Sequence, residues 1–358
     1  MNIRVTKISF IALFFSFAFI SNLSFARGSH VFWIKKTFEN LNKIENYTAT
    51  SEQWLSLDSS RVISQINYQR PNDFHTIIIS PESLKGTEAS FSNHAISLNN
   101  PHTKKALSIT GLKSPTIESK LDQVKGRYYY NQKHYDQVFT PSIHVAEQLS
   151  VGLDFIAKRE EAELLKAETY IDYHHSIFMQ ASQSFNSGIT SKFKNTAIAF
   201  NQKTFTLPKT NIAADTQLLA WDFNQASLTN KESLERISSD IHWPKDIENY
   251  WGLSQRQFYQ QRNSKTAAGY FYNDAFFVIA ITQPNKSDAS TAKTTYHFTH
   301  GTPLTINTLK GESTAFLSQY PEFSYIEFVR DNIRYSLIAN IHPQSLIDMA
   351  RGMIIEEK

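Results

Sequence analysis

Residues 61–80 read RVISQINYQRPNDFHTIIIS, and their pattern decides the fold class. In an extended chain Val62, Ile66 and Tyr68 share one face, while Gln65, Asn67 and Gln69 share the other. Pro71, Asn72 and Asp73 supply turn chemistry, and Phe74–Ser80 returns as a second run rich in β-branched residues. Two such strands, apolar on one side and polar on the other, mark an antiparallel sheet with one wet face.

The alternation extends outward from this pair. Thr48–Leu57, containing Trp54, precedes it as a strand, and segments near Ala89–Leu98 and Ala106–Ile109 follow. Later strands are expected at Thr169–Met179, Ser191–Phe200 and Thr204–Leu207. A final group is expected at Gly269–Thr282, Thr294–Thr299, Pro303–Leu309, Tyr325–Phe328 and Asn332–Ile338. Helical spacing predicts an amphipathic helix from Ser29 to Asn46 and a second from Ser142, with Ile143, Ala146, Leu149, Leu153 and Ile156 on one stripe. A polar helical stretch is expected near Lys231–Ser238, and a closing helix runs from Pro343 through Leu346, Met349 and Met353. Pro208-Lys209-Thr210-Asn211 is the expected boundary between two domains, in keeping with 358 residues at about 150 per domain.

Composition removes several functions. The formal net charge is +3 without a basic or acidic block, which argues against a nucleic-acid binder. The absence of cysteine removes disulfide scaffolds, thiolate metal sites and cysteine nucleophiles. Glycine, at 11 of 358 residues, leaves little material for phosphate-cradling loops. Aromatic residues reach 13%, which suits strands better than helices.

Arg4 and Lys7 precede the mostly apolar run Ile8–Ile20, and Ser24 and Ala26 stand at −3 and −1 of a small-x-small cleavage site. That run is shorter than the ~20 residues a bilayer span needs. Residues 1–26 are therefore expected to be a cleavable signal peptide and the chain to be periplasmic, with a bacterial envelope protein the natural reading.

Searches for chemistry return little. No nucleophile elbow, dinucleotide fingerprint, phosphate loop or H-E-x-x-H motif occurs. His297 and His300, like His174 and His175, point to opposite faces of a strand, so neither pair chelates easily. No enzyme, metal or cofactor is expected. A sheet lined by Ile, Phe and Tyr could instead be a plain packed core or hold an acyl chain.

The order of signal peptide, helix and strands containing Tyr68-Gln69-Arg70-Pro71-Asn72-Asp73-Phe74 resembles the LolA-type periplasmic lipoprotein carriers. The run from Ser191-Lys192-Phe193 to Phe205-Thr206-Leu207-Pro208 resembles the end of the same domain. Gly269 to Phe277, and Tyr335–Ile341 leading into Pro343, are similar to the second domain of the RseB/MucB envelope-stress regulators. His75 stands where carriers place a basic residue, and Ala275 where the regulators place a hairpin glycine.

The resemblance implies an α+β chain. Residues 27–208 would form a LolA-like unclosed antiparallel β-barrel covered by helices, and 209–358 a smaller α+β domain. It also implies a non-enzymatic carrier or sorting protein for lipid or lipoprotein acyl chains, or alternatively a regulatory module docking an inner-membrane partner or lipoprotein receptor. The residues expected to line the concave face are Trp54, Val62, Ile66, Tyr68, Phe74, Ile171, Tyr173, Ile177 and Met179. Beside that groove a neutral His75 would be easily buried and its protonation would open the edge, making lipid retention weaker near pH 5 than near pH 8, values that bracket the ~6.5 reference of histidine. The alternative places His75 on the wet face of its strand with no role.

Overall fold

The computed structural model describes residues 36, 39–40, 43–55, 61–92, 94–112, 131–159, 162, 164–231, 243–244, 253, 255–261, 265–273, 276–284, 302–308, 311–320, 323–330, 333–341 and 343–352. The alternation at 61–80 becomes a hairpin, β2 (Arg61–Gln69) and β3 (Asp73–Ser80), preceded by β1 (Asn46–Leu55). The expected strand at 89–98 divides into β4 (Glu88–Ser92) and β5 (Ala95–Asn100), because His94 takes a left-handed φ of 63° that turns the chain. Next come β6 (Lys105–Thr110), β7 (Tyr135–Val145), β8 (Gln148–Ala157), β9 (Leu164–Asp172), β10 (Phe178–Phe185), β11 (Thr190–Phe200) and β12 (Gln217–Asp222).

These strands form one twelve-stranded sheet in the order β12-β6-β5-β4-β3-β2-β1-β11-β10-β9-β8-β7. Every pairing is antiparallel except that of β12 with β6, which is parallel. A second sheet has eight strands: β13 (Ser227–Thr229), β14 (Gln255–Gln260), β15 (Ala267–Tyr272), β16 (Phe277–Pro284), β17 (Thr302–Thr308), β18 (Gly311–Gln319), β19 (Ser324–Arg330) and β20 (Ile333–Ala339). Their order is β13-β14-β15-β16-β20-β19-β18-β17, and helix α1 (Pro343–Gly352) follows.

The expected α+β class, with a helix-covered barrel and a smaller α+β domain, is corrected. Strand makes up 63% of the described residues and helix 7%, and neither sheet closes into a barrel. The largest single difference is the helix expected from Ser142, which is the hairpin β7–β8. Ala146 and Glu147 adopt φ values of 47° and 64°, the paired left-handed geometry of a two-residue hairpin turn. The β-branched Val145 and Val151 favour the strands on either side. Alternation then sends Val151, Leu153 and Phe155 to one face, and Gly152 has no Cβ because Thr140 Oγ1 fills that space. The helical stripe was a coincidence of spacing between alternating positions.

Of the helix expected at Ser29–Asn46, residues 36, 39 and 40 are helical and Asn46 opens β1; the other residues before 43 lie outside the described residues. So do the signal peptide at 1–26, the strand expected at Thr294–Thr299 and all of the Lys231–Ser238 helix but Lys231. Thr204–Leu207 is not a strand. No described helix is long and apolar enough to cross a membrane. The expected boundary at 208/209 falls between β11 and β12, and β12 then adds an edge to the first sheet.

Candidate acyl-binding face

The face of the first sheet that carries Ile66 is called inner here. Register fixes its membership strand by strand. Tyr47 and Ala49 of β1 stand opposite Tyr68 and Ile66 of β2, which face Phe74 and Thr76 of β3. Phe74 pairs with Phe91, Phe91 with Ile96, and Ile96 with Ile109. In the other direction Tyr47 and Ala49 pair with Phe200 and Ile198 of β11. The result is an apolar surface from β6 to β11; Ser51, Gln53, Asn195 and Gln183 then stand on the same face before a second apolar cluster of Ala167, Leu153 and Phe155 on β9 and β8.

Of the residues expected to line this face, Val62, Ile66, Tyr68 and Phe74 lie together on β2 and β3. Tyr68 stacks on Tyr47 with centroids 5.0 Å apart and tilts against Phe74 at 4.9 Å. Its hydroxyl donates to Pro71 O at 3.1 Å, so the phenol reaches back and closes the turn below it. Ile171 belongs to a separate cluster with Leu153, Phe155, Ala167 and Phe185. Tyr173 and Ile177 sit in the turn between β9 and β10; Ile177 joins the cluster of Ile66 and Phe74. Met179 is wholly buried, with Sδ 3.9 Å from Asn195 Nδ2.

Trp54 is not brought to this group. Two-residue periodicity sends Tyr47, Ala49, Ser51 and Gln53 inward and Trp54 outward, where Lys192 Nζ lies 5.3 Å above its ring. Tyr47, Phe91, Ile198 and Phe200 lie on the inner face and were missed, though the alternation of their own strands marks them. Leu153 and Phe155 were missed because they were read as helical.

His75 is also on the outer face, opposite Asn67 and Ser90, and not beside the apolar surface. It is buried there, with Nε2 3.2 Å from Glu88 Oε2. The same carboxylate oxygen accepts the Asn211 backbone N–H at 3.2 Å, and Asn99 Nδ2 donates to Asn211 O at 2.9 Å. Thr210 Oγ1 donates to Ser90 Oγ at 2.9 Å. The segment after β11 is thus strapped over a polar outer surface. His174 and His175 are similarly built into a turn: Asp172 accepts both of their backbone N–H groups, and His175 stacks on Phe200 at 3.7 Å.

The second sheet covers the β2–β6 part of the inner face. Ala268, Tyr270, Phe277, Ile279, Tyr325 and Ile338 project from one of its faces into the same core as Ile66, Ile96 and Ile109. Phe91 and Phe277 stack across the joint with centroids 6.1 Å apart. The joint also holds charge. Burial, then the neighbouring Arg334 guanidinium, lowers the Lys105 amine below the usual lysine range, against the opposing pull of Glu327. Arg334 Nε lies 3.5 Å from Glu327 Oε1, and Glu327 is wholly buried.

No family model and no curated protein matches the sequence. Among solved structures the chain is similar to MucB, at 12% identity and a TM-score of 0.44, covering 91% of this chain and 98% of that one. It is similar to the MucA/MucB complex of Pseudomonas aeruginosa, at 10% identity, a TM-score of 0.40 and coverage of 89% and 97%. A LolA superfamily protein from Nitrosomonas europaea is matched at 8% identity and a TM-score of 0.25, over 51% of this chain and 98% of that one. These are the two groups to which the residues around Tyr68–Phe74 and Gly269–Phe277 pointed.

Proposed function

We propose that this chain is a non-enzymatic periplasmic protein that binds lipid or lipoprotein acyl chains on the inner face of its twelve-stranded sheet, as a carrier or sorting protein does. Residues 27–208 hold the ligand and 209–358 form the smaller domain. The observation that carries this reading is the run of apolar side chains across one face from Ile109 through Ile96, Phe91, Phe74 and Tyr68 to Tyr47, with a second apolar cluster of Leu153, Phe155 and Ala167 further along the same sheet. An acyl chain needs few polar contacts, since each buried CH₂ contributes about 0.8 kcal/mol. Val62, Ile66, Tyr68, Phe74, Ile171, Tyr173, Ile177 and Met179 are the proposed contact residues.

Delipidated protein incubated with fatty acid or lipoprotein and examined by native mass spectrometry tests the proposal. Bound lipid that is lost in Ile66→Asp, with secondary structure retained, supports it; no adduct at any lipid concentration overturns it. A regulatory module is the competing reading, and a pull-down from envelope extract separates the two. Recovery of an inner-membrane regulator without lipoprotein would favour regulation over carriage.

A further inference from the structure

In the structure the second sheet lies on the part of the proposed acyl-binding surface that holds Ile66, Tyr68 and Phe74, and the two cannot occupy that part together. We infer that the second sheet is a cover that swings off the inner face as one body, pivoting at residues 224–226, and that lipid reaches the Ile66, Tyr68 and Phe74 part of that face only in the open state. This inference rests on the acyl-binding reading and adds the regulation of that site.

Three features support it. First, the second sheet has a core of its own on its far face, where Val278, Ala280, Leu337 and Phe328 pack against Leu346 and Ile347 of α1. It therefore keeps a packed interior when the near face is uncovered. Second, the joint is not purely apolar. Taking Lys105, Glu327 and Arg334 out of water offsets part of the gain from the apolar contacts, and opening returns that hydration. The closed state is held by a smaller margin than its apolar area implies.

Third, the connection has a defined place to bend. The chain from Thr210 to β12 is fastened to the first sheet by the Glu88 and Asn99 contacts, by Lys104 Nζ to Asp215 Oδ2 at 2.7 Å, and by the β6–β12 ladder. After β12 the backbone turns on Asp222, whose side chain accepts the Asn224 N–H at 2.9 Å, and passes directly into β13 of the second sheet. Rotation there moves the second sheet without unfastening the strap. The Ser187 Oγ–Gln344 Oε1 hydrogen bond, the Phe91–Phe277 stack and the contacts of the Phe223 ring with Tyr259 (4.7 Å) and Tyr270 (5.9 Å) must break.

The chain has no cysteine, so an introduced thiol is a unique reporter. Ala268 and Ala280 are both wholly buried on neighbouring strands, Ala268 in the core shared with the first sheet and Ala280 in the core shared with α1. Thiol labelling of the mature chain is compared in Ala268→Cys and Ala280→Cys, with and without palmitate, and matching urea midpoints establish that both fold. Ala89→Cys, on the facing surface of the first sheet, is a second reporter should Ala268→Cys fail to fold.

The expected result is labelling at 268 and 89 at least about tenfold faster than at 280, as for a sub-global opening that spares the far core. Palmitate should change the rate at 268 and 89 and leave 280 unaffected. Equal rates at all positions would overturn the inference, since opening would then require global unfolding. So would unchanged rates at 268 while native mass spectrometry shows palmitate bound. Absence of any palmitate adduct would instead overturn the acyl-binding reading, leaving the motion of the cover to be judged from the labelling rates alone.

Discussion

The two sheets differ in how many of their faces are covered. In the second sheet β15 is buried at every position from Ala267 to Tyr272, and β16 at every position from Phe277 to Thr282. One face meets the first sheet and the other meets α1. In the first sheet β7 is buried only at its two ends, Tyr135 and Val145, and β11 only at Ser191 and Asn195. Both sheets are antiparallel through these strands, so strand direction does not account for the contrast. The number of covered faces does: two covered faces select an unbroken apolar run such as AAGYFY or FVIAI, and one covered face selects alternation.

The contrast predicts unequal sensitivity to core truncation. Phe328 stacks on Tyr335 at 4.9 Å with an interplanar angle of 9°, inside the core under α1. Phe328→Ala should cost about 4 kcal/mol, against about 2 kcal/mol for Leu153→Ala in the half of the first sheet near β7. Urea unfolding of both variants checks this, and equal losses would remove the distinction between the sheets.

The joint is tested next. Glu327→Gln removes the negative member of the buried Lys105–Glu327–Arg334 cluster and leaves two cations facing each other, at a cost of about 3 kcal/mol. Replacing Lys105 by Met in the same chain should recover part of that loss, measured by the same unfolding curves. No recovery would place the cost outside the cluster.

Alkaline pH should act through the second sheet. Burial pushes the Tyr320 and Tyr325 hydroxyls above the ordinary tyrosine range. The folded chain then keeps protons that the unfolded chain releases above about pH 10, so this stability is complete below pH 10 and is lost as pH rises towards the folded values. Tyr325→Phe should flatten the fall in urea midpoint above pH 10. A matching slope in the variant and the unmodified protein would show that another group is responsible.

The smallest effect is expected at the strap. Glu88→Gln weakens the contacts to His75 and to the Asn211 N–H, at about 1 kcal/mol. Its readout is local: trypsin should cut after the exposed Lys209 faster than in the unmodified chain, while the melting temperature moves little. Unchanged cleavage would mean that Thr210 and Asn99 hold the strap without Glu88.

Much of the first sheet was legible because one wet face leaves a periodic record. The strands at Asn46–Leu55, Arg61–Gln69 and Asp73–Ser80 were read within a few residues of their bounds, and so was α1 at Pro343–Gly352. The stretch from Ser142 to Ile156 was not, since its apolar residues satisfy helical spacing and alternation alike. Only the left-handed backbone at Ala146 and Glu147 separates the two. For the candidate site, Ile66, Tyr68 and Phe74 were found by alternation, and Trp54 was assigned to them although the same rule places it on the opposite face. His75 was linked to the groove because it stands where carriers place a basic residue; the alternative that it sits on the opposite face of its strand from Phe74 is the face the structure shows.

By itself the sequence determined that apolar side chains recur every second residue through 61–80, that no thiol chemistry is possible, and that a helix begins at Pro343. These follow from residue type and spacing over a few neighbours. Only the tertiary structure decided that β12 returns to pair with β6, that the face of Tyr270 and Phe277 closes over Ile96 and Phe91, and that Lys105 meets Glu327 and Arg334 there. The physical reason is range: local periodicity says that a face must be covered, but what covers it is settled by contacts between residues more than a hundred positions apart, which no short window of sequence contains.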